Sequence, residues 1–139
     1  MTLEIFAPYS HALASLGIWA ILVSVLAALS TVGRTAEGRC DCGKPKRNYS
    51  DPVYRRERAF MNAIEGSGPF IAATLAAILV GASPFWVNIF ASVFIVARLA
   101  MAYVHIATEN QPLRSAAFSV GLLCILCLSI MALVGAFTL

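Results

Sequence analysis

The sequence predicts an all-α integral membrane protein built as a four-helix bundle. Hydrophobic residues make up 60% of the 139 residues and charged residues only 12%, and the mean hydropathy is +0.81. A soluble domain of this length cannot bury so much apolar surface, so the composition favours a membrane protein. The sequence lacks the alternating pattern of membrane barrel strands, and helices satisfy their own backbone hydrogen bonds in lipid.

Four apolar segments account for most of the chain. They span about residues 11–33, 58–82, 84–107 and 115–139. With a rise of about 1.5 Å per residue, each reaches ~35 Å as a helix, which is enough to cross the hydrocarbon core of a bilayer. We therefore predict a single four-helix domain over residues 1–139, with a basic loop over 34–57.

The distribution of positive charge predicts the orientation in the membrane. Seven of the ten Lys and Arg residues lie in the 34–57 loop. Such loops face the cytoplasm, which places both termini on the opposite side. The connection 81–84 is short and uncharged, so the second and third helices form a tight hairpin. In a bacterium the membrane would be the inner one.

Ionisable and amide side chains within the second and third apolar segments mark a candidate site, because such groups are costly in lipid. They are Arg58, Asn62, Glu65, Arg98 and His105. A spacing of seven residues is nearly two helical turns, so the polar residues of each helix share one face. Both faces fall in the half of the bilayer near the basic loop. We predict a pocket there for a small zwitterionic or anionic ligand.

Other interpretations of these residues stay open from the sequence. Glu65 and Arg98 can form a buried ion pair that only fixes helix packing, although such a pair is a weak source of stability. Arg58 can be an isolated residue that extends its charge to the interface. Pro69 leaves the carbonyl of Glu65 without its helical N–H, and so either opens space there or simply kinks a packed helix.

The start of the fourth helix combines Pro112 with Arg114 and Ser115 in the first turn. A cation at this end opposes the helix dipole, which suggests a role other than helix stability. Arg114 together with free backbone N–H groups would hold a thiolate or a carboxylate. The alternative is an interfacial arginine that serves only the charge asymmetry of the membrane.

The four cysteines form two close pairs. Cys40 and Cys42 lie in the basic loop without the two further ligands that a zinc site needs, so no metal is expected. A cytoplasmic loop also argues against a disulfide. Cys124 and Cys127 lie in the fourth apolar segment, where the spacing is typical of packing.

Residues 58–70, RAFMNAIEGSGPF, resemble the signature R-A-x-x-N-x-x-E-x-x-x-P-F of the MAPEG family of membrane-associated proteins in eicosanoid and glutathione metabolism. Arg98 precedes His105 by seven residues and Arg114 by sixteen. These spacings are closest to the microsomal glutathione transferase and prostaglandin-E synthase branch. The resemblance covers nearly the whole chain, including the four-helix layout.

The resemblance implies a homotrimer with glutathione as co-substrate between neighbouring subunits, in a site open to the cytoplasm. Catalysis would involve Arg114, which stabilises the thiolate, and Ser115 beside it, while Arg34 would come from the neighbouring subunit. The remaining glutathione-binding residues would be Arg58, Asn62, Glu65, Arg98 and His105. The implied activity is a glutathione-dependent transferase or peroxidase acting on lipophilic electrophiles from the lipid bilayer.

Four positions depart from the family pattern: Met101, His105, and Phe60 and Met61, which replace polar residues found in the prostaglandin branch. Family members with glutathione chemistry often carry Tyr or His where this chain has Met101, and Tyr where it has His105. The alternatives to an enzyme are a non-catalytic membrane ligand-binding or scaffold protein of the same family and a small transporter component. No nucleic-acid partner is expected.

Overall fold

Four long α-helices make up most of residues 3–138, the part of the chain that the computed structural model describes. They are α1 (Ser10–Thr31), α2 (Pro52–Leu79), α3 (Pro84–Ala107) and α4 (Gln111–Phe137), preceded by the 3-10 turns Leu3–Ile5 and Ala7–Tyr9. All four helices are long and apolar enough to span a membrane. The predicted all-α, multi-pass membrane class is therefore confirmed.

Two of the helices, α2 and α4, start before the apolar segments that the sequence marks. α2 begins at Pro52, where the Asp51 carboxylate accepts a hydrogen bond of 2.8 Å from the N–H of Val53. α4 begins at Gln111, where the Asn110 side chain accepts one of 3.0 Å from Leu113. α2 starts before the apolar segment at 58 because hydropathy does not count its polar first turns, and α4 starts next to Pro112, which the sequence places in its first turn.

The core joins α1, α2 and α3 through three buried aromatic rings. Phe70 and Phe94 stack with ring centroids 3.8 Å apart, and Trp19 meets Phe94 edge-on at 5.1 Å. The indole N–H of Trp19 donates to the Ser67 hydroxyl at 3.0 Å, so its one polar atom is paired. An edge-on pair such as Trp19 with Phe94 contributes about 0.5–1.5 kcal/mol beyond area burial. Pro69 lies within α2 and is exposed, and the helix continues past it to Leu79.

At the end of the bundle near the chain's N-terminus, polar side chains join the first 3-10 turns to the α2–α3 hairpin. The Tyr9 hydroxyl donates to the carbonyl of Ala82 at 2.5 Å. Asn88 donates to the carbonyl of Pro8 at 2.7 Å and accepts from the N–H of Ala12 at 2.9 Å. The sequence gives no sign of these two bonds, because both partners of Asn88 are backbone groups.

The loop over residues 32–51 is attached to the opposite end of the bundle by arginines. Arg55 donates to the carbonyl of Tyr49 at 2.8 Å and to that of Ile106 at 3.1 Å. Arg56 donates to the carbonyl of Val32 at 2.7 Å. These bonds satisfy carbonyls at helix ends and in the loop, which would otherwise lack partners.

The structure joins Cys40 and Cys42 in a disulfide, so the expectation of two free thiols in this loop is wrong for the structure. Their Cα atoms are 5.2 Å apart, within the usual range for a disulfide. The physical reason is local. A tight turn at Gly43, whose φ is +79°, brings the two residues to the same side of the loop.

Candidate functional site

Five of the eight predicted site residues line one open cavity of about 270 Å³ at the end of the bundle that carries the 32–51 loop. The cavity lies between α2, α3 and α4. Its lining residues are Tyr49, Arg58, Asn62, Met101, His105, Arg114, Ser115, Phe118 and Ser119. None of these nine lining residues of the described chain is acidic, so two guanidinium groups give the cavity a positive charge.

Arg114 is half-buried and its guanidinium lies over the ring of Tyr49, 4.9 Å from the ring centroid. A cation–π contact of this kind stabilises the side chain without using its N–H donors. Of the three ion pairs among residues 3–138, none includes Arg58 or Arg114. The donors of Arg114 therefore remain available to an anion in the cavity.

The backbone at the start of α4 contributes less than the sequence suggests. The N–H of Leu113 is capped by the side chain of Asn110, and the N–H of Arg114 donates to the carbonyl of Asn110 at 3.2 Å. Pro112 has no N–H. Since these amides are already used, the guanidinium of Arg114 and the Ser115 hydroxyl are the groups at this end that can reach an anion.

His105 is a buried polar residue on the cavity wall, with 3% of its surface exposed. Neither ring nitrogen has a hydrogen-bond partner within residues 3–138. Buried polar atoms are nearly always paired in native structures. The unpaired imidazole beside the cavity is therefore suited to a hydrogen bond with a bound molecule.

Arg98 lies behind the cavity wall rather than in it, and only 4% of it is exposed. Its Nη1 donates to Asn62 Oδ1 at 2.9 Å and contacts Met101 Sδ at 3.4 Å. The guanidinium lies 5.1 Å from the ring centroid of Phe94 and 5.2 Å from that of Phe118. Arg98 thus positions Asn62 and Met101, which do line the cavity.

Two glycines make room for Arg98. A Cβ placed on Gly66 would come within 3.0 Å of Arg98 Nη2, and one on Gly121 within 3.0 Å of Nε. A real side chain at either position would force the guanidinium to move. Gly66 and Asn62 are four residues apart, so they define the face of α2 that is directed at Arg98.

Glu65 does not join this arrangement. It is exposed, does not line the cavity, and forms no ion pair with Arg98 in residues 3–138. One residue along a helix is a rotation of about 100°, so a helix that turns Gly66 towards Arg98 turns Glu65 away from it. The buried Glu65–Arg98 pair, left open by the sequence, is therefore wrong for this chain.

Arg34 belongs to a separate place near the end of α1. It forms an ion pair with Glu57, and its Nε donates to the carbonyl of Ser30 at 2.7 Å. Sequence reasoning missed Glu57, which is 5% exposed and also lies 4.0 Å from Lys44 Nζ. The sequence did contain a signal for Glu57, since it is an acid directly before Arg58 at the end of a basic loop.

Sequence reasoning also missed three residues of the cavity wall. Phe118 and Ser119 follow Ser115 by three and four residues, so helical spacing would have placed them on the same face of α4. Tyr49 lies in an irregular loop, where no periodic pattern gives the direction of a side chain. Its position depends on tertiary contacts such as the bond from Arg55 to its carbonyl.

The fold and this cavity together define a multi-pass membrane protein with a positively charged site at one end of its helical bundle. Residues 9–134 match the family model of the MAPEG family. The chain therefore belongs to the MAPEG family, whose members are membrane proteins associated with eicosanoid and glutathione metabolism. No curated protein matches the chain.

Proposed function

We propose that this protein is a glutathione-dependent membrane transferase or peroxidase acting on lipophilic electrophiles. The observation that supports this most is the cavity shared by Arg58, His105 and Arg114, which contains two free guanidiniums and no acid among its described lining residues. Glutathione has two carboxylates, one ammonium group and one thiol. A site for it needs several cationic donors, a hydrogen-bonding wall and one acid for the amine.

The thiol of glutathione would lie near Arg114 and Ser115. A guanidinium beside the sulfur favours the thiolate over the thiol, and the thiolate is the nucleophile. In a transferase reaction the sulfur electron pair forms the new S–C bond while the leaving group departs with its bonding electrons. In a peroxidase reaction the thiolate attacks one peroxide oxygen, the O–O bond breaks, and the alkoxide takes a proton and leaves as an alcohol. A second glutathione thiol then attacks the sulfur of the resulting sulfenic acid, forms the disulfide and releases water.

The binding residues have separate tasks in this proposal. Arg58 and Asn62 bind carboxylate and amide groups of glutathione, and His105 supplies a further hydrogen bond from its unpaired ring. Arg98 acts by positioning, because its bond to Asn62 fixes the direction of that amide. The exposed Phe118 on the α4 side of the cavity gives an apolar surface by which a lipophilic electrophile reaches the thiolate from the bilayer.

A homotrimer is part of this proposal, supported by the position of Glu65. A carboxylate exposed on the outside of a membrane-spanning helix is costly in lipid. A neighbouring subunit that covers this face of α2 removes the cost and lets Glu65 bind the glutathione amine. The same arrangement would bring Arg34 of one subunit to the cavity of another. The cavity would open to the cytoplasm, as the basic loop predicts.

A binding protein without catalysis is the second candidate, favoured by Met101. Its thioether sulfur lies against Arg98 within the wall of the cavity, where a hydroxyl or imidazole would supply a donor. Such a protein would bind glutathione or a lipophilic molecule and release it unchanged. A transporter is disfavoured because, within residues 3–138, the long helices are continuous rather than paired half-helices.

A ligand titration followed by an activity assay distinguishes these functions. Detergent-purified protein is heated with increasing glutathione, and conjugation to a generic aryl halide is then measured. A saturable rise in melting temperature with turnover supports the enzyme. Saturable binding without turnover of aryl halides or hydroperoxides supports the binding protein. No thermal shift with glutathione, while S-methylglutathione also fails to bind, contradicts both glutathione functions.

A further inference from the structure

The disulfide between Cys40 and Cys42 lies in a turn that is held by backbone hydrogen bonds. The N–H of Cys40 donates to the carbonyl of Lys44, and the N–H of Gly43 donates to the carbonyl of Cys40, both at 2.9 Å. The N–H of Lys46 donates to the carbonyl of Gly38, also at 2.9 Å. These bonds form the turn in which the two sulfur atoms are joined.

This disulfide contributes little to the stability of the fold by the usual route. It encloses a single residue, Asp41, so it removes only a small amount of conformational entropy from the unfolded chain. It also connects no two helices. The loop is already attached to the helix ends by the bonds of Arg55 and Arg56, which leaves the cysteine pair available for a different role.

Access and charge suit the pair to thiol–disulfide exchange. Cys42 is exposed and Cys40 partly exposed. Arg39 and Lys44, both exposed, flank the pair, and cationic neighbours stabilise a thiolate, while Asp41 opposes them. Exposed disulfides are the labile and regulatory ones. The other two cysteines differ, because Cys124 is buried and both lie within a membrane-spanning helix.

The turn is in contact with the beginning of α2 through Lys44. Its Nζ lies 4.0 Å from Glu57 Oε1 and 3.7 Å from Met61 Sδ. Glu57 also binds Arg34, and Met61 precedes Asn62 of the cavity wall. Lys44 therefore links the turn to residues next to the cavity wall.

We propose that Cys40 and Cys42 form a reversible thiol–disulfide exchange site for low-molecular-weight thiols and disulfides, and that its reduction releases Lys44 from Glu57. A small thiolate attacks one sulfur of the pair, forms a mixed disulfide and expels the other sulfur as a thiolate. A second small thiolate then attacks the mixed disulfide and releases a small disulfide. The protein gains two electrons and, on protonation, two thiols. Oxidation by a small disulfide is the reverse.

The site requires no ligand in the Arg114 cavity, so it is tested separately from the proposed enzyme function. Purified protein is equilibrated in buffers of varied thiol-to-disulfide ratio, first with glutathione and then with 2-mercaptoethanol and its disulfide. Free thiols are trapped by alkylation and located by mass spectrometry. We expect Cys40 and Cys42 to change together in one two-electron transition in both buffers, with the same midpoint in Arg114→Ala. Cys124 and Cys127 serve as internal controls that do not form this pair.

Two further measurements test the details. Cys40→Ser should trap one small thiol on Cys42 in oxidising buffer, which shows the mixed disulfide. Hydrogen exchange of the Gly43 and Lys46 amides should become several-fold faster after reduction. A pair that stays joined in the most reducing buffer, or stays as thiols in the most oxidising one, overturns the exchange site. Unchanged exchange of these amides after full reduction overturns the opening of the turn on which the release of Lys44 depends.

Discussion

Arg98 and Arg114 differ in how completely the chain surrounds each guanidinium. Arg98 is buried between two aromatic rings and two glycines and donates to Asn62. Arg114 is half-buried, lies over one tyrosine ring and faces an open cavity. Neither forms an ion pair within residues 3–138. The comparison indicates that Arg98 organises the wall, whereas Arg114 is free to act on a ligand.

Arg114→Ala tests the chemical half of this comparison and should have the largest effect. Turnover with an aryl halide should fall by about 10²-fold or more, the typical loss when one donor to a developing anion is removed. Glutathione affinity should stay within several fold, because other residues bind the rest of the molecule. Steady-state kinetics measure turnover, and a binding titration measures glutathione affinity. Arg114→Lys, which keeps the charge, is the control. Equal turnover in Arg114→Ala and wild type would leave Arg114 as an interfacial charge.

Gly66→Leu tests the structural half, the enclosed space around Arg98. The first added carbon already meets the guanidinium at 3.0 Å, so the variant should lose about 1–3 kcal/mol of stability, the typical cost of overpacking. Gly68→Leu is the matched control in the same helix, since nothing lies within 4 Å of a Cβ there. Thermal unfolding in detergent compares them. Similar melting temperatures for both variants would mean that Arg98 is not tightly enclosed.

Glu65→Gln tests whether the exposed carboxylate is completed by a neighbouring subunit. Glutathione binding should weaken by about 1–3 kcal/mol, the cost of leaving a buried polar partner unsatisfied. Isothermal titration of the variant and of Glu4→Gln, a control outside the proposed site, measures the difference. If Glu65→Gln binds glutathione as wild type does, the amine is bound elsewhere and the Glu65 face has another role.

The orientation of the bundle is tested by labelling in intact cells, in a Cys40→Ser, Cys42→Ser background. A cysteine introduced at Thr138 should react with an impermeant reagent, and one introduced at Lys46 should not, because the basic loop is predicted to face the cytoplasm. Both positions are exposed in the structure, so access within the protein is matched. The reverse pattern would invert the orientation and place the cavity on the outer side.

Hydropathy predicts the four spans well because lipid imposes one requirement, a long apolar helix, on each of them. Helical spacing also placed Arg58, Asn62 and His105 on faces that do meet. Spacing cannot tell which neighbour a face meets, however, and so the sequence left Glu65 as a partner of Arg98 although α2 turns Gly66 to that position instead.

The loop was the least predictable part of the site. The place of Tyr49 beneath Arg114 and the pairing of Arg34 with Glu57 depend on contacts between the loop and the helices. The Cys40–Cys42 disulfide depends on a tight turn within the loop. Such contacts join residues without any regular spacing. Hydropathy and periodicity have no signal for them, because neither describes an irregular backbone.

The central claim, that Arg114 stabilises the thiolate of bound glutathione, is tested most directly by ultraviolet difference absorbance at neutral pH. The thiolate absorbs where the thiol does not, so saturating glutathione should produce a signal close to one thiolate per bound molecule in wild type. The signal should fall at least several-fold in Arg114→Ala at the same occupancy, and should persist in Gly68→Ala. An equal thiolate signal in wild type and Arg114→Ala, with both fully occupied, would contradict the account.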